Sequence, residues 1–272
     1  MKMQAKQLLQ RVGLLDVALR SYHNLKVATP AIVWQEIPLR LRGAPDGHPL
    51  PPPDLIFEVI GSRWSAVYLE SGARIVADMQ EFLEGVGRPL QGFESILDFG
   101  CGSGRLIRHV HQYTDAALFG TDYNPRLIEW CRSNLPFGFF STNLPRPPLG
   151  FDAQSFDYIY ARSVFTHLTE ERQNEWLMEF HRLLKPGGIL YFTTHGTRLI
   201  AGLSERQREA FFANELVATF TEVEGENLCA VYQTPDHVAQ HLTDGYELLI
   251  SVEGRNREHL YQDVHLLRKT GD

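Results

Sequence analysis

The densest chemical signal in the chain is Ile96-Leu97-Asp98-Phe99-Gly100-Cys101-Gly102-Ser103-Gly104-Arg105, an apolar run that breaks into alternating glycines. Glycines at such a junction permit positive φ, and without Cβ atoms the backbone can approach a ligand closely. A helix starting just beyond them would aim its free amides and positive dipole end at the same place, which implies a nucleotide-like ligand. The dinucleotide fingerprint GxGxxG needs a glycine at position 105, where Arg105 stands. Asp98, two residues before the first glycine, would repel a pyrophosphate and suits a ligand with a cationic end. A second acid, Asp122, closes the next apolar run in Gly120-Thr121-Asp122-Tyr123-Asn124-Pro125. A carboxylate there offers lone pairs to ribose hydroxyls; its alternative role is to cap the helix beginning near Pro125.

Two histidines, His167 and His195, follow later apolar runs. Histidine titrates near neutrality, so either could accept a proton. The plainer alternatives are that His167 packs or caps a helix start and that His195 is a loop residue with its ring in solvent. Cys101, Cys131 and Cys229 are too widely separated for a metal cluster or a disulfide framework, and no Asp/Asn cluster suggests magnesium, so no metal is expected.

The elements that must position these residues alternate. Apolar runs at 95–99, 116–121, 137–141, 156–161 and 188–194 are separated by helical patterns near 105–113, 125–134 and 170–184. The stretch 143–154, rich in Pro and Gly, reads as a loop. Runs at 246–252 and 263–267, joined by a short polar stretch, predict an antiparallel pair. Strand, helix, strand in repetition builds a mostly parallel sheet with helices on both faces. Before it, residues 4–20 carry an amphipathic helical pattern, 43–53 read as a Pro/Gly linker, and 64–84 read as a helix.

With 43% hydrophobic and 22% charged residues the composition is that of a soluble globular chain. A net charge of −7 gives no overall attraction to a phosphate backbone, which disfavours nucleic acid as substrate, although residues 1–42 are locally basic. No apolar run is long enough to span a bilayer, the start lacks a signal-peptide pattern, and the sparse cysteines fit a reducing, cytoplasmic setting. An oligomeric state is not readable.

These segments together resemble the class I S-adenosylmethionine-dependent methyltransferases, over roughly residues 95–269 and most strongly in 96–105, 155–168 and 183–188. Ser155-Phe156-Asp157-Tyr158-Ile159-Tyr160 resembles the family's fourth strand, Ser163-Val164-Phe165-Thr166-His167-Leu168 the segment after it, and Leu184-Lys185-Pro186-Gly187-Gly188 the turn into the fifth. The resemblance implies a Rossmann-like α/β fold: a seven-stranded, mostly parallel sheet with a reversed last strand, helices on both faces and an N-terminal helical extension. It divides the chain into an extension and cofactor or substrate cover, 1–90, with Tyr68 to Gly72 over the cofactor, and a methyltransferase domain, 91–272, whose variable part, 196–244, faces the substrate. S-adenosyl-L-methionine is the implied cofactor. By carry-over Asp98, Gly100 and Gly102 contact its methionine part, with Cys101 and Gly104 in the same turn, and Asp122 its ribose. Tyr123 lies beside the adenine, Asn143 and Leu144 hold the adenine edge, and Ser163 lines the floor near the sulfonium. The family usually has an acid before the Leu-Pro pair; here Ser141, Thr142 and Asn143 stand there.

Methyl transfer needs alignment and exclusion of water, and a hydroxyl acceptor gains most from a base. That makes His167 and His195 the candidate bases. Ala161-Arg162-Ser163-Val164 lacks the Asn/Asp-Pro-Pro-aromatic motif of amino methylation on nucleobases and glutamine amides. Phe211, Phe212, Phe220 and Tyr232 are candidate walls of an acceptor pocket. The reading is methylation of a small molecule or saccharide, on oxygen first. The alternatives are small-molecule N-methylation, a nicotinamide-dependent oxidoreductase, and a non-catalytic S-adenosylmethionine-binding module.

Overall fold

The structure is a computed structural model, and it describes residues 30–225, 229–256 and 260–271. The helix expected over 4–20 lies outside the described residues. Helices α1 (Pro30–Arg42), α2 (Pro53–Ile60) and α3 (Ser65–Gly85) precede β1 (Ser95–Phe99), α4 (Ile107–Val110), β2 (Ala117–Asp122), α5 (Pro125–Asn134), β3 (Gly138–Thr142) and β4 (Phe156–Ala161). Then come α6 (Glu170–Leu183), β5 (Leu184–Thr194), α7 (Glu205–Phe212), β6 (Val217–Thr219), β7 (Ala230–Tyr232), α8 (Pro235–His241), β8 (Tyr246–Val252) and β9 (Asp263–Lys269).

Seven strands form one sheet in the order β3-β2-β1-β4-β5-β9-β8, with β9 antiparallel to both of its neighbours and the other pairings parallel. This is the Rossmann-like sheet the sequence predicts. Its central strands alternate between two buried faces, as a period of two requires. Ile96, Tyr158, Tyr160, Ile189 and Tyr191 face a core shared with Val76, Met79 and Leu83 of α3, Ile107 of α4 and Ile128 of α5. Leu97, Ile159, Leu190 and Phe192 face the other core, with Trp176, Phe180 and Leu183 of α6 and Val238 of α8. Burying each large side chain of this kind contributes about 1.5–3 kcal/mol.

Helix α2 and the early start of strand β5 depart from the sequence expectation. The Pro51–Pro53 run reads as linker, yet Pro53 opens α2, because a proline at the first helical position loses an amide that has no partner there. The strand β5 begins four residues early. Its pairing with β4 jumps from Phe156↔Leu184 to Tyr158↔Ile189, so the Lys185–Gly188 turn is absorbed as a bulge inside the strand.

The leading helices are bound tightly to the sheet domain. Arg108, wholly buried, makes a two-pronged ion pair with Asp46 (Nε–Oδ2 2.6 Å, Nη2–Oδ1 2.8 Å). Burial alone would raise the Asp46 carboxyl, but the guanidinium outweighs it and holds it below the usual range. The Tyr68 hydroxyl donates to the Ser103 carbonyl at 2.7 Å, and a Cβ on Gly72 would stand 2.6 Å from the Arg105 carbonyl. The stretch Tyr68 to Gly72 therefore buttresses the Gly-rich turn from behind, rather than covering a ligand. Its close approach needs Gly72.

Candidate functional site

A cavity of about 1240 Å³ opens over the carboxyl ends of the central strands. One side is walled by the end of β1 and its turn (Asp98, Gly100, Cys101, Gly102, Arg105), by Asp122 and Tyr123 after β2, and by Asn143 after β3. The other side is walled by Arg162, Ser163 and His167 after β4, His195 after β5, and Tyr261 and Gln262 ahead of β9. Single-ligand sites usually enclose roughly 300–1,000 Å³, so there is room here for two molecules side by side.

The turn after β1 is stapled to β2. The Gly100 and Cys101 amides both donate to the Thr121 carbonyl (2.8 and 3.0 Å), and the Gly102 amide donates to Asp122 Oδ2 (2.9 Å). Those amides are consumed internally, so the turn binds by shape and side chains, not by a set of free N–H groups. Gly100, Gly102 and Gly104 all have positive φ (75°, 57° and 78°). A Cβ at Gly100 would meet Val164 Cγ2 at 2.4 Å, and one at Gly102 would meet Val59 Cγ2 at 2.8 Å. What these two glycines admit is a pair of valines that close the turn. Gly104 lies outside the cavity lining; a Cβ there would strike Leu135 of the helix-packing layer at 2.4 Å, so its role is helix-to-sheet packing.

Asp98 is buried, and its Oδ2 has no hydrogen-bond partner. Burial, with the Asp122 charge adding, pushes its carboxyl up to about 8. A buried carboxyl oxygen left without a partner is costly until a donor group arrives. Asp122 uses one backbone amide on each oxygen, Gly102 N on Oδ2 and Asn124 N on Oδ1 (both 2.9 Å), which leaves one lone pair per oxygen facing the cavity. It does not cap α5; Asn124 does, accepting from the Arg126 amide at 3.0 Å. Tyr123 is half exposed beside it. Asn143 lines the cavity, but Leu144 is 73% exposed and lies off the lining, and Pro145 takes its place. The Asn143 side chain donates to the Leu144 carbonyl at 2.8 Å.

The cover over this side is α2, supplying Phe57, Glu58, Val59 and Ile60 to the lining. Glu58 accepts from Asn124 Nδ2 (2.8 Å) and from Arg126 (2.7 Å), and Asp54 accepts from Arg126 (2.8 Å), strapping α2 to the start of α5. The sequence reading missed α2, although Pro53 followed by Asp54 is a helix-start signal.

On the other side His167 and His195 meet edge to face, ring centroids 6.0 Å apart. His167 Nδ1 lies 2.6 Å from the Cys229 carbonyl oxygen. A carbonyl only accepts, so Nδ1 carries the hydrogen and Nε2 holds the lone pair. Burial pushes His167 below the usual histidine range; burial, aided by His167 and Arg162, pushes His195 down to about 3. Both rings are neutral at physiological pH, and neither stands free in solvent or caps a helix. Ser163 adopts a left-handed φ of 62°, held by its amide donating to Thr193 Oγ1 (2.9 Å). The expected aromatic walls fall elsewhere. Phe211 is buried in a separate small core with Ile200, Leu203 and Val217, Tyr232 packs against that core, Phe212 is 67% exposed, and Phe220 is not in the lining. Among the described residues no group of three His, Cys, Asp or Glu could hold a metal, and no helix is long and apolar enough to cross a membrane.

Residues 96–188 match the family model for a methyltransferase domain. The chain is 29% identical over 119 residues to the tRNA N(3)-methylcytidine methyltransferase Mettl2 of Drosophila melanogaster, covering 40% of this chain and 37% of that protein. It is 30% identical over 102 residues to malonyl-acyl-carrier-protein O-methyltransferase 1 of Coxiella burnetii, covering 37% and 33%. The matched stretch thus spans about a third of the length of these curated relatives. A structure of the 1,6-didemethyltoxoflavin-N1-methyltransferase of Burkholderia thailandensis, bound to its substrate and S-adenosylhomocysteine, superposes with a TM-score of 0.52 at 18% identity, covering 74% of this chain and 79% of that one. At that identity the likeness is one of fold.

Proposed function

Since this chain belongs to the class I S-adenosylmethionine-dependent methyltransferases, we propose that it methylates a small molecule or saccharide, on oxygen first and nitrogen second. The observation that carries this reading is a cavity with two chemically distinct halves, one acidic beside the Gly-rich turn and one holding two neutral histidines.

Asp98 supplies a buried carboxyl, one oxygen of which lacks a partner, for the donor's ammonium, and Arg105, whose Nε also lacks a partner, supplies a cation beside it for the donor's carboxylate. Asp122 accepts from ribose hydroxyls with its remaining lone pairs, and Tyr123, Asn143 and Pro145 bound the adenine end. S-adenosylmethionine, when bound, offers a methyl group on a cationic sulfur, and displacement there needs alignment more than activation. His167 and His195 stand where a hydroxyl acceptor loses its proton, and Nε2 of His167 is the nitrogen that can take it. Residues 1–90 act as extension and cover, and 196–244 set the acceptor. The three free thiols fit a cytoplasmic setting. With a net charge of −7, a nucleic-acid acceptor of the kind named for the Drosophila relative is the weaker reading.

Mass spectrometry of the purified protein for retained S-adenosylmethionine or S-adenosylhomocysteine tests the donor. Incubation with labelled donor and a metabolite extract, beside a tRNA pool, tests the acceptor: label in a small molecule supports the proposal, and label only in RNA defeats it.

A further inference from the structure

We propose that Arg162 anchors a carboxylate on the methyl acceptor, so that the substrates of this enzyme are carboxylated small molecules. The inference rests on the two-halved reading of the cavity given above.

Arg162 sits at the end of β4, on the histidine side. Its Nη1 donates to Ser163 Oγ (2.8 Å) and to Thr193 Oγ1 on β5 (3.1 Å). Both hydroxyls in turn donate to Gln262 Oε1, at 2.9 and 2.8 Å. This four-residue cluster fixes the direction of the guanidinium and neutralises none of its charge, because every partner is an uncharged dipole. Its Nε and Nη2 make no bond within the described residues and are not sealed away from the cavity.

Of the other arginines of the cavity, Arg172 pairs with Glu175 (2.5 Å) and Glu224 (3.4 Å), whereas Arg105 donates to the Ser71 hydroxyl at 3.4 Å, and burial together with the neighbouring Arg162 charge pushes it down to about 10. Among the described residues Arg162 enters no ion pair; Tyr191 on β5 and Asp78 on α3 act on it only at a distance. Holding such a cation in a protein wall is expensive unless an anion joins it, and a planar fork with adjacent donors free matches a carboxylate bidentately. Under the proposed function the donor's own carboxylate goes to Arg105, which lies beside the Gly-rich turn. What remains for Arg162 is the second occupant of the cavity.

The placement also links recognition to basicity. Arg162 is one of the groups that hold His195 uncharged. A carboxylate on the guanidinium cancels that repulsion, so the ring gains proton affinity when an acceptor is seated.

The test titrates the protein, saturated with S-adenosylhomocysteine, with benzoate, phenylacetate and malonate and with their primary amides, read by calorimetry or saturation-transfer NMR. At least one carboxylate is expected to bind about tenfold or more tightly than its amide. Arg162→Gln should abolish that preference while S-adenosylhomocysteine binds within about twofold of wild type, and Arg162→Lys, which keeps the charge and lacks the fork, should restore part of it. Equal binding of acids and amides, no binding of any carboxylate, an unchanged preference in Arg162→Gln, or a large loss of S-adenosylhomocysteine affinity in that variant would each overturn the proposal. Failure of wild-type protein to bind S-adenosylhomocysteine would instead defeat the donor reading, and is seen before any carboxylate is added.

Discussion

The two halves of the cavity are built in opposite ways. The half beside β1 comes from short, contiguous segments: Asp98 to Gly102 in one turn and Asp122 to Asn124 in another, brought together by strand pairing between neighbours β1 and β2. The half beside β4 is assembled from Arg162, His167, His195, Glu224 and Gln262, scattered over a hundred residues and joined by side-chain bonds across β4, β5 and β9. The first half is thereby fixed by local backbone geometry, the second by tertiary packing. Substitution should separate them: changes in the first ought to affect donor binding, changes in the second turnover and acceptor choice.

The largest effect is expected from Gly102→Val, which puts a branched side chain at a φ of 57° and into Val59. Donor binding should be undetectable by calorimetry while the far-UV circular dichroism stays native. Normal donor affinity in that variant would erase the distinction between the halves. Next, His167→Ala and His195→Ala should each lower kcat by about 10²–10⁴-fold with donor Kd nearly unchanged. Unchanged turnover in both would leave alignment as the only catalyst.

Asp98 sharpens the comparison through pH. Without ligand its folded value, about 8, lies above the ordinary 3.8, so between those limits the folded chain keeps a proton that the unfolded chain has lost. Its contribution to stability therefore falls as pH rises across that window. A cationic ammonium needs the ionised form, so donor affinity should climb by up to about tenfold per pH unit below 8 and then level, with proton release on binding measurable in buffers of different ionisation enthalpy. Flat affinity from pH 6 to 9 would remove Asp98 from the site. The smallest effect is expected from Glu58→Gln, which loosens the strap holding α2. An exposed pair of this sort contributes about 0.2–1 kcal/mol, so donor Kd should rise only a few-fold, and less in high salt.

The same contrast explains what could be read from the chain before its structure. β1 and β4 fall where periodicity places them, and the antiparallel β8–β9 pair follows from its short connection. Asp98 and Asp122 stand out in the sequence because each is defined by its neighbours in the chain, and both line the cavity. The pairing of His167 with His195 depends on β4 lying next to β5, which puts residues twenty-eight apart in one wall; pattern alone offers no such distance. Arg162 reads as an ordinary strand-end cation, and its open donors emerge only once Ser163, Thr193 and Gln262 are placed around it. Leu144 lies outside the cavity wall for a local reason: the loop after β3 puts Asn143 and Pro145 into the lining and leaves the leucine between them in solvent. The aromatic residues of 196–244 failed for a general one: large apolar side chains found a core of their own.

The clasp between Arg108 and Asp46 bears on how the molecule could be cut or rebuilt. A fragment starting at residue 91 would contain every position matched by the family model, yet it would take Asp46, the His48 carbonyl and the Tyr68 ring away from Arg108 and strip Val76, Met79 and Leu83 from the core. A piece that begins upstream of residue 46 is therefore expected to be more stable than one that begins at 91, and a graft of the recognisable domain onto another leader would have to re-cover that face and supply an acid for Arg108.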